Sequence, residues 1–216
     1  MKYLVYWLTW ITARLAFAVF WRYRVEGLHH LPRNRSFIVA ANHRSFAEPA
    51  LIGCTVPRRN FFFAKRELFA QPLFGLYLRA LGAFPVDRGG ADLGAIRYAL
   101  DVLRQGRVLV FFPEGTRSPS DAFLPAQPGI GMIALRAQVP VVPAYVQGSR
   151  RARGRLWAPR PVRTRFGPAV EVADSGWTTD REGYQRLADL VLDRIKDIAR
   201  SMGETVTETS RSTDYE

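Results

Sequence analysis

Cysteine is almost absent from the chain, with Cys54 alone among 216 residues. A single cysteine cannot build an internal disulfide framework or a cysteine-rich metal site. Its neighbours Leu51, Ile52 and Val56 are apolar, so we expect Cys54 to be a small buried side chain. We expect that the protein requires no metal ion.

Several enzyme signatures are also missing. The chain has no Walker A sequence, no H-E-x-x-H zinc motif and no G-x-S-x-G nucleophile motif. A G-x-G-x-x-A pattern occurs at 129–134, but a proline-containing loop precedes it and no acidic residue follows until Glu171. A dinucleotide site requires a preceding strand and an acidic residue that binds the ribose. We therefore interpret 129–134 as the start of a helix.

The chain is poor in negative charge: 31 Lys and Arg against 19 Asp and Glu give a formal charge of +12. Such a surface attracts nucleic acid, an anionic membrane, phosphorylated substrates or an acidic carrier protein. A nucleic-acid binder should interleave aromatic side chains with its arginines for base stacking, and only Trp157 and Phe166 do so here. A membrane-tethered nucleic-acid-binding protein stays as an alternative. No acidic residue occurs from 122 to 170, where the arginines are Arg136, Arg150, Arg151, Arg153, Arg155, Arg160, Arg163 and Arg165.

Residues 3–21 form an apolar run interrupted by Thr9, Thr12 and Arg14. The run is near the minimum length for spanning a bilayer, and an arginine near its middle is costly there. Its many Trp and Tyr side chains favour the membrane interface. We predict a membrane-associated helix over residues 1–21, lying in or partly through one leaflet at the cytoplasmic face of the membrane. A cleaved signal peptide is the alternative, but the apolar run continues past the candidate cleavage site at 16–18.

The remaining chain alternates apolar, strand-like runs with helical patterns. This alternation predicts one α/β domain over residues 22–202, with a mixed sheet flanked by helices. The polar residues 203–216 are expected to be disordered, and a Thr179/Glu182 capping box is expected to start the last helix. One or two edge strands are expected within 149–165. Predicted strands are 23–28, 36–41, 60–65, 83–86, 107–112 and 139–145. Predicted helices are 49–56, the part of 68–81 beyond Pro72, 92–104 with Asp92 as its N-cap, and 130–138. A final helix is predicted from its apolar stripe, which consists of Tyr184, Leu187, Val191, Ile195 and Ile198.

The segment from Asn42 to Pro49, with the sequence NHRSFAEP, directly follows a buried strand. Pro49 disfavours helical backbone at Glu48 and suits the start of a new helix. We therefore expect His43 and Glu48 in a strand-to-helix connection, with Glu48 near the helix N-terminus. A carboxylate that holds one ring N–H leaves the other ring nitrogen free to accept a proton. The pair predicts an oriented general base, and the alternative is a pair that only satisfies a loop.

Two other strand ends carry charged side chains. The buried strand ending at Phe112 leads into Pro113-Glu114-Gly115-Thr116-Arg117, and the strand 83–86 leads into Asp87-Arg88. Ligands collect at the carboxyl ends of strands in open α/β sheets. The turn should expose Glu114, Thr116 and Arg117. An arginine there can bind a phosphate through paired hydrogen bonds, and a glutamate can accept from a hydroxyl. Alternatively, an Arg117–Glu114 pair staples the turn.

Four motifs occur in the order and approximate spacing found in glycerolipid acyltransferases. On these motifs, which cover about residues 23–170, the chain resembles the bacterial 1-acyl-sn-glycerol-3-phosphate acyltransferase family. The motifs are Asn42-His43…Glu48, Gly82…Asp87-Arg88, Phe112-Pro113-Glu114-Gly115-Thr116-Arg117-Ser118 and Val139-Pro140-Val141-Val142-Pro143.

The resemblance implies transfer of a fatty acyl group to the sn-2 hydroxyl of 1-acyl-glycerol-3-phosphate, which gives phosphatidic acid. It implies that His43 is the base and Glu48 its orienting acid. The acyl donor, acyl-CoA or acyl-carrier protein, is a co-substrate, and no cofactor is expected. The implied partners are this donor, a lysophospholipid acceptor and anionic membrane lipids, with no nucleic acid. The implied substrate-binding residues are Lys65, Arg88, Glu114, Gly115, Thr116 and Arg117.

The chain departs from the family pattern at two places. Glu48 stands where the family usually has aspartate, which keeps the charge and adds a methylene. A glutamate also occurs there in the related late acyltransferases of lipid A biosynthesis, so the change is not interpreted as inactivating. Residues 126–129 (AQPG) replace a lysine-bearing Phe-Lys-x-Gly, which removes one positive contact. Another lysolipid acceptor, or a catalytically idle scaffold of the same fold, therefore stays open.

Overall fold

A mixed sheet forms the centre of the protein. The computed structural model describes residues 2–87, 92–152, 156–158, 161–173 and 176–209, so the predicted binding residue Arg88 lies outside the described residues. Within these ranges seven strands pair in the order β1-β7-β6-β2-β5-β3-β4. All neighbours are parallel except β6 and β7, which are antiparallel. The strands are β1 (Arg24–Glu26), β2 (Phe37–Ala41), β3 (Asn60–Lys65), β4 (Ala83–Val86), β5 (Val108–Phe111), β6 (Val141–Gln147) and β7 (Arg163–Phe166).

Helices cover both faces of the sheet, as predicted for an α/β fold. Alternate residues of β2 explain why: Ile38 belongs to the core on one face, and Phe37 and Val39 to the core on the other. A strand buried on both faces has a continuous apolar sequence, which is the pattern seen in this chain. The helices are α1 (Lys2–Phe20), α2 (Glu48–Gly53), α3 (Pro72–Ala80), α4 (Leu93–Arg104), α5 (Gly129–Ala137), α6 (Ser149–Ala152) and α7 (Arg181–Ser201), and 3₁₀ turns occur at Leu28–His30 and Arg66–Phe69.

The Arg-rich segment contributes β7, which is not an edge strand. The prediction of an edge strand there is wrong because β1 pairs in parallel outside it, with Arg24 opposite Arg163. The Glu26 carboxylate joins the two strands: it accepts from Arg163 at 2.7 Å and from the Arg165 Nε at 2.7 Å. Two arginines of the basic segment are therefore paired within the sheet.

Helix α7 begins one residue later than the predicted capping box requires. Its N-cap is Asp180, whose side chain accepts from the Gly183 amide at 2.8 Å, so the Thr179/Glu182 box is wrong. Asp180 is favoured as the N-cap because an ionised acceptor interacts favourably with the amides at a helix N-terminus. The predicted apolar stripe is confirmed, since Leu187 and Val191 are completely buried.

Residues 203–209 are held against the domain, and the prediction that disorder begins at residue 203 is wrong for them. The Phe123 amide donates to the Thr207 carbonyl at 2.9 Å, and the Thr209 amide donates back to the Phe123 carbonyl at 3.0 Å. Glu208 also pairs with Lys196 at 2.9 Å. No sequence pattern predicts this order, because main-chain hydrogen bonds and one ion pair provide it, without an apolar stripe.

Helix α1 confirms the predicted N-terminal helix and packs on the domain with one of its faces. Tyr6 is buried, and its hydroxyl accepts from Asn60 Nδ2 at 3.0 Å. Arg14 donates to the Cys54 carbonyl at 3.4 Å, so this charge faces the domain. Among the described residues, no helix combines the length and the hydropathy that crossing a membrane requires. The outer face of α1 exposes Leu4, Trp7, Leu8, Ile11, Leu15 and Val19.

Candidate active site

The structure brings His43 and Glu48 together in the connection between β2 and α2. His43 follows the last residues of β2, and Glu48 is the first residue of α2 with Pro49 directly behind it. His43 Nδ1 lies 2.9 Å from Glu48 Oε2. The Glu48 side chain is completely buried, whereas the His43 side chain is 10% exposed. The sequence prediction of a contact between the two side chains is confirmed.

The Glu48 carboxylate is fixed by donors on both of its oxygens. Besides His43, Oε2 accepts from the amides of Arg44 at 2.7 Å and Ser45 at 3.0 Å. Oε1 accepts from the Ser149 hydroxyl at 2.7 Å. A carboxylate in the first turn of a helix is also stabilised by the helix dipole. The carboxylate therefore presents a fixed oxygen to the imidazole.

The His43 ring packs on Phe112, which ends the neighbouring strand region. The two ring centroids are 4.1 Å apart and the ring planes differ by 22°. Since Nδ1 faces Glu48, Nε2 is the nitrogen left for a substrate, and no described residue hydrogen-bonds to it. Stacking and the Glu48 contact together fix the direction of Nε2.

The turn after β5 holds the main chain of His43 from both sides. Glu114 Oε1 accepts from the His43 amide at 2.8 Å, and the Ser118 amide donates to the His43 carbonyl at 2.8 Å. Glu114 Oε2 accepts from the Leu124 amide at 3.0 Å. The left-handed backbone of Gly115, with φ of 71°, makes the tight turn that folds this carboxylate inward.

The prediction that this turn exposes Glu114 is therefore wrong, because the residue is 3% exposed and its carboxylate accepts from two main-chain amides. Burial raises the pKa of Glu114 to about 7, although the amides of Leu124 and His43 oppose the shift. Both carboxylate oxygens of Glu114 accept from main-chain amides. The alternative prediction, in which an Arg117–Glu114 pair staples the turn, is therefore wrong. Glu114 orders the loop that carries the histidine.

Arg44 is a buried cation beside the pair of His43 and Glu48, which form the dyad. Its Nη1 donates to the Tyr145 hydroxyl at 2.7 Å, and its guanidinium carbon lies 4.8 Å from the Phe123 ring centroid. Burial raises the pKa of Tyr145 to about 12, so the phenol is neutral at physiological pH. The sequence interpretation missed Arg44, Phe112 and Ser149. Arg44 and Phe112 lie inside recognised motifs, but the sequence does not tell where their side chains point.

Arg117 lies at the same edge of the sheet as the dyad loop, the connection between β2 and α2 that carries His43. Its guanidinium carbon is 3.4 Å from the ring centroid of Phe46, which is 65% exposed. Gly115 is exposed and Thr116 is half-buried in the same turn. Arg117 and the dyad loop therefore lie at the same edge of the sheet.

Lys65 lies farther along the sheet, at the end of β3, with β5 between β3 and β2. It is exposed and pairs with Glu67 at 3.0 Å. Its neighbour Arg66 pairs with Asp87, and more loosely with Asp92 at 3.5 Å. The role of Arg88 in substrate binding stays a prediction, since Arg88 lies outside the described residues. Among described residues, no group of three or more His, Cys, Asp or Glu is placed to hold a metal ion.

Comparison with known proteins agrees with this geometry. The acyltransferase family model matches residues 22–147. A 1-acyl-sn-glycerol-3-phosphate acyltransferase of Streptococcus pneumoniae is 32% identical over 74% of the chain, which spans 59% of that relative. The enzyme of the same name from Bacillus subtilis is 26% identical over 84% of the chain and 90% of its own length.

A solved structure extends the similarity to nearly the whole fold. The crystal structure of the 1-acyl-sn-glycerophosphate acyltransferase from Thermotoga maritima matches with a TM-score of 0.76 and 28% identity, covering 96% of this chain and 83% of that one. The family model, the relatives and the fold agree on one assignment. The chain belongs to the acyltransferase family.

Proposed function

We propose that this protein transfers a fatty acyl group from acyl-CoA or acyl-carrier protein to the sn-2 hydroxyl of 1-acyl-glycerol-3-phosphate, giving phosphatidic acid. The observation that carries the proposal is the 2.9 Å contact between His43 Nδ1 and the buried Glu48. Curated relatives that bear the name of this activity support the choice of acceptor. Neither a cofactor nor a metal takes part in the proposed reaction.

In the proposed mechanism, His43 Nε2 removes the proton of the acceptor hydroxyl as the oxygen attacks the thioester carbonyl. The new ester C–O bond forms and the C–S bond breaks. The proton on the imidazole then passes to the leaving sulfur, which departs as a thiol. Because the thioester is already activated, no covalent enzyme intermediate is needed. General-base assistance of this kind contributes about 10²–10⁴-fold.

Glu48 serves the base in two ways. It accepts from Nδ1–H and so selects the tautomer in which Nε2 has a free lone pair. Its negative charge also balances the positive charge that develops on the ring as the proton moves. Since the carboxylate is buried and hydrogen-bonded, no reorganisation is needed at the moment of reaction.

Arg117 is the proposed phosphate contact nearest the dyad, with Gly115 and Thr116 in the same turn. A guanidinium forms paired, charge-assisted hydrogen bonds with phosphate oxygens. Lys65 and Arg88 are proposed as further contacts with the acceptor. Glu114 acts on the acceptor indirectly in this proposal, because its carboxylate fixes the main chain of His43.

The lipid substrates require access from a membrane, and α1 is the proposed contact with it. Its exposed apolar face adjoins α3, where Leu73 and Leu76 are also exposed and the Tyr77 hydroxyl meets Thr9 Oγ1 at 3.3 Å. The basic surface adds attraction to anionic headgroups, at about 1 kcal/mol per residue close to the membrane. We place the protein at the cytoplasmic face of the membrane.

One assay tests the proposal. Purified protein is given a panel of lysolipid acceptors with either acyl-CoA or acyl-carrier protein, and thiol release and the lipid product are measured. We expect thiol release that depends on 1-acyl-glycerol-3-phosphate, with phosphatidic acid as the product. Preference for another lysolipid would overturn the acceptor, and absence of transfer with every pair would overturn the activity. A salt-dependent gel shift at physiological ionic strength would favour nucleic-acid binding instead.

A further inference from the structure

Ser149 contacts the dyad from a part of the chain that none of the four motifs includes. It is the first residue of α6, directly after β6 and Gly148, and it is 1% exposed. Its hydroxyl donates to Glu48 Oε1 at 2.7 Å, across a sequence separation of 101 residues. This hydrogen bond is the only one that the described residues make to Oε1.

The strand register places Ser149 at this position. β2 and β6 are parallel neighbours, with Ala41 opposite Ala144, so both chains leave the sheet at the same edge. The side chain of Asn42 fixes the register there, because it accepts from the Val146 amide at 2.7 Å and donates to the Val146 carbonyl at 3.2 Å. Ser149 follows Val146 by three residues and so reaches Glu48 at this edge of the sheet.

The two oxygens of Glu48 have separate partners. Oε2 takes the imidazole and the amides of Arg44 and Ser45, whereas Oε1 takes only the Ser149 hydroxyl. A carboxylate held on one oxygen alone can still rotate about its terminal bond, which is broad and soft. Glutamate has one more rotatable bond than aspartate, so its carboxylate has more freedom that must be removed.

We propose that Ser149 is a positioning residue for the acyl-transfer reaction, which fixes the rotation of the Glu48 carboxylate so that Oε2 faces His43. The inference rests on the proposed function, in which His43 and Glu48 form the base. Ser149 compensates for the methylene that distinguishes Glu48 from aspartate: a shorter side chain held by the same loop amides withdraws its second oxygen from the hydroxyl. The role belongs to the glutamate form of this site.

Steady-state kinetics of a double-mutant cycle test the proposal. The variants are Ser149→Ala, Glu48→Asp and the double variant, assayed with the acceptor and donor of the wild type. We expect Ser149→Ala to lower kcat about tenfold or more, as loss of a hydrogen bond to a charged group does, with both KM values within twofold. In the Glu48→Asp background, the same change should alter kcat less than twofold, because its partner oxygen has withdrawn.

Two further variants separate positioning from packing. Ser149→Cys fills nearly the same space with a much weaker donor, so it should lose kcat much as Ser149→Ala does while keeping the thermal melting temperature. Thr55→Val is the matched control. Thr55 is also buried and donates at 2.7 Å, but to the Leu51 carbonyl, so its removal should leave kcat within twofold of wild type.

Several results would overturn the inference without touching the proposed function. These are a kcat within twofold of wild type in Ser149→Cys, an equal loss from Ser149→Ala in both Glu48 and Glu48→Asp backgrounds, or a rise in KM at constant kcat. Failure of the proposed function has a different signature. Then His43→Ala retains wild-type turnover, and no Ser149 variant can act through the dyad.

Discussion

The loop after β2 and the turn after β3 both end parallel strands of one sheet, yet they hold their charges differently. Glu48 is buried and accepts from the protein on both oxygens. Lys65 and Arg66 are about half exposed, and the acids at their shortest contacts, Glu67 and Asp87, are more exposed still. Buried charges keep one geometry, whereas exposed ion pairs contribute little and exchange partners readily. The first region suits chemistry and the second suits adaptable binding of an anionic substrate.

This contrast predicts that the largest loss comes from the base itself. His43→Ala should lower kcat by about 10²–10⁴-fold, because it removes the group that accepts the proton of the substrate hydroxyl. His30→Ala is the matched control, since His30 lies in the 3₁₀ turn Leu28–His30 and has no part in the dyad. Thiol release and melting temperature measure both variants. Activity of His43→Ala within tenfold of wild type would contradict the assignment of the chemistry to the buried region.

The buried region should also lose stability as the pH rises, because it contains a carboxyl group with a raised pKa. The pKa of Glu114 is about 7 in the folded protein, against 4.5 for a free side chain, because burial disfavours its charge. The stability due to this group is therefore full below pH 4.5 and is lost as the pH rises through about 7. The loss is on the order of 3 kcal/mol.

Urea unfolding of wild type and Glu114→Gln at pH 5 and pH 8 isolates this contribution. The amide side chain does not titrate, so the free energy of unfolding of wild type relative to the variant should fall between the two pH values. A difference that stays constant with pH, or that rises, would contradict the assignment of a buried carboxyl with a raised pKa.

Arg117 has features of both regions, because it lies at the dyad end of the sheet but contacts the exposed Phe46. Arg117→Ala should raise the KM for the lysolipid acceptor about tenfold and leave the KM for the thioester unchanged, since a charge-assisted contact with phosphate is lost. Arg107→Ala is the control: its guanidinium lies 5.2 Å from the Phe61 ring, but it precedes β5 and so lies at the opposite sheet edge. An equal rise in both KM values would count against the phosphate role.

The smallest effect is expected at the exposed strand end. Lys65→Ala removes one exposed ion pair, so the free energy of unfolding should change by less than about 1 kcal/mol. The KM for the acceptor should rise about two- to threefold, and the difference from wild type should shrink in 1 M salt because ionic screening weakens exposed charges. A loss of kcat comparable to that of His43→Ala would remove the distinction between the regions.

The sequence predicts the fold well where one local pattern decides the structure. β3 and β4 have the predicted bounds, and Asp92 caps α4 as its position implies, accepting from the Ala95 amide. The sequence predicts less well where tertiary contacts decide. The partner of β7 and the docking of residues 203–209 depend on Glu26 and Phe123, which lie far away along the chain.

The candidate site divides in the same way. The contact between His43 and Glu48 follows from their closeness in sequence and from the start of α2 at Glu48, beside Pro49. The position of Glu114 does not follow, because a charged residue in a turn normally faces solvent, and here two main-chain amides and a Gly115 turn bring it inside. Ser149 gives no sequence signal at all, since only the pairing of β2 with β6 brings it to Glu48.

Acyl transfer to 1-acyl-glycerol-3-phosphate by Glu48→Gln tests the central claim most directly. The glutamine is the same size, but it removes the negative charge and one fixed acceptor, so the imidazole loses its preferred tautomer and its charge balance. The account predicts a loss of kcat of about 100-fold or more with KM for both substrates near the wild-type values. Wild-type turnover in a folded Glu48→Gln protein would contradict it.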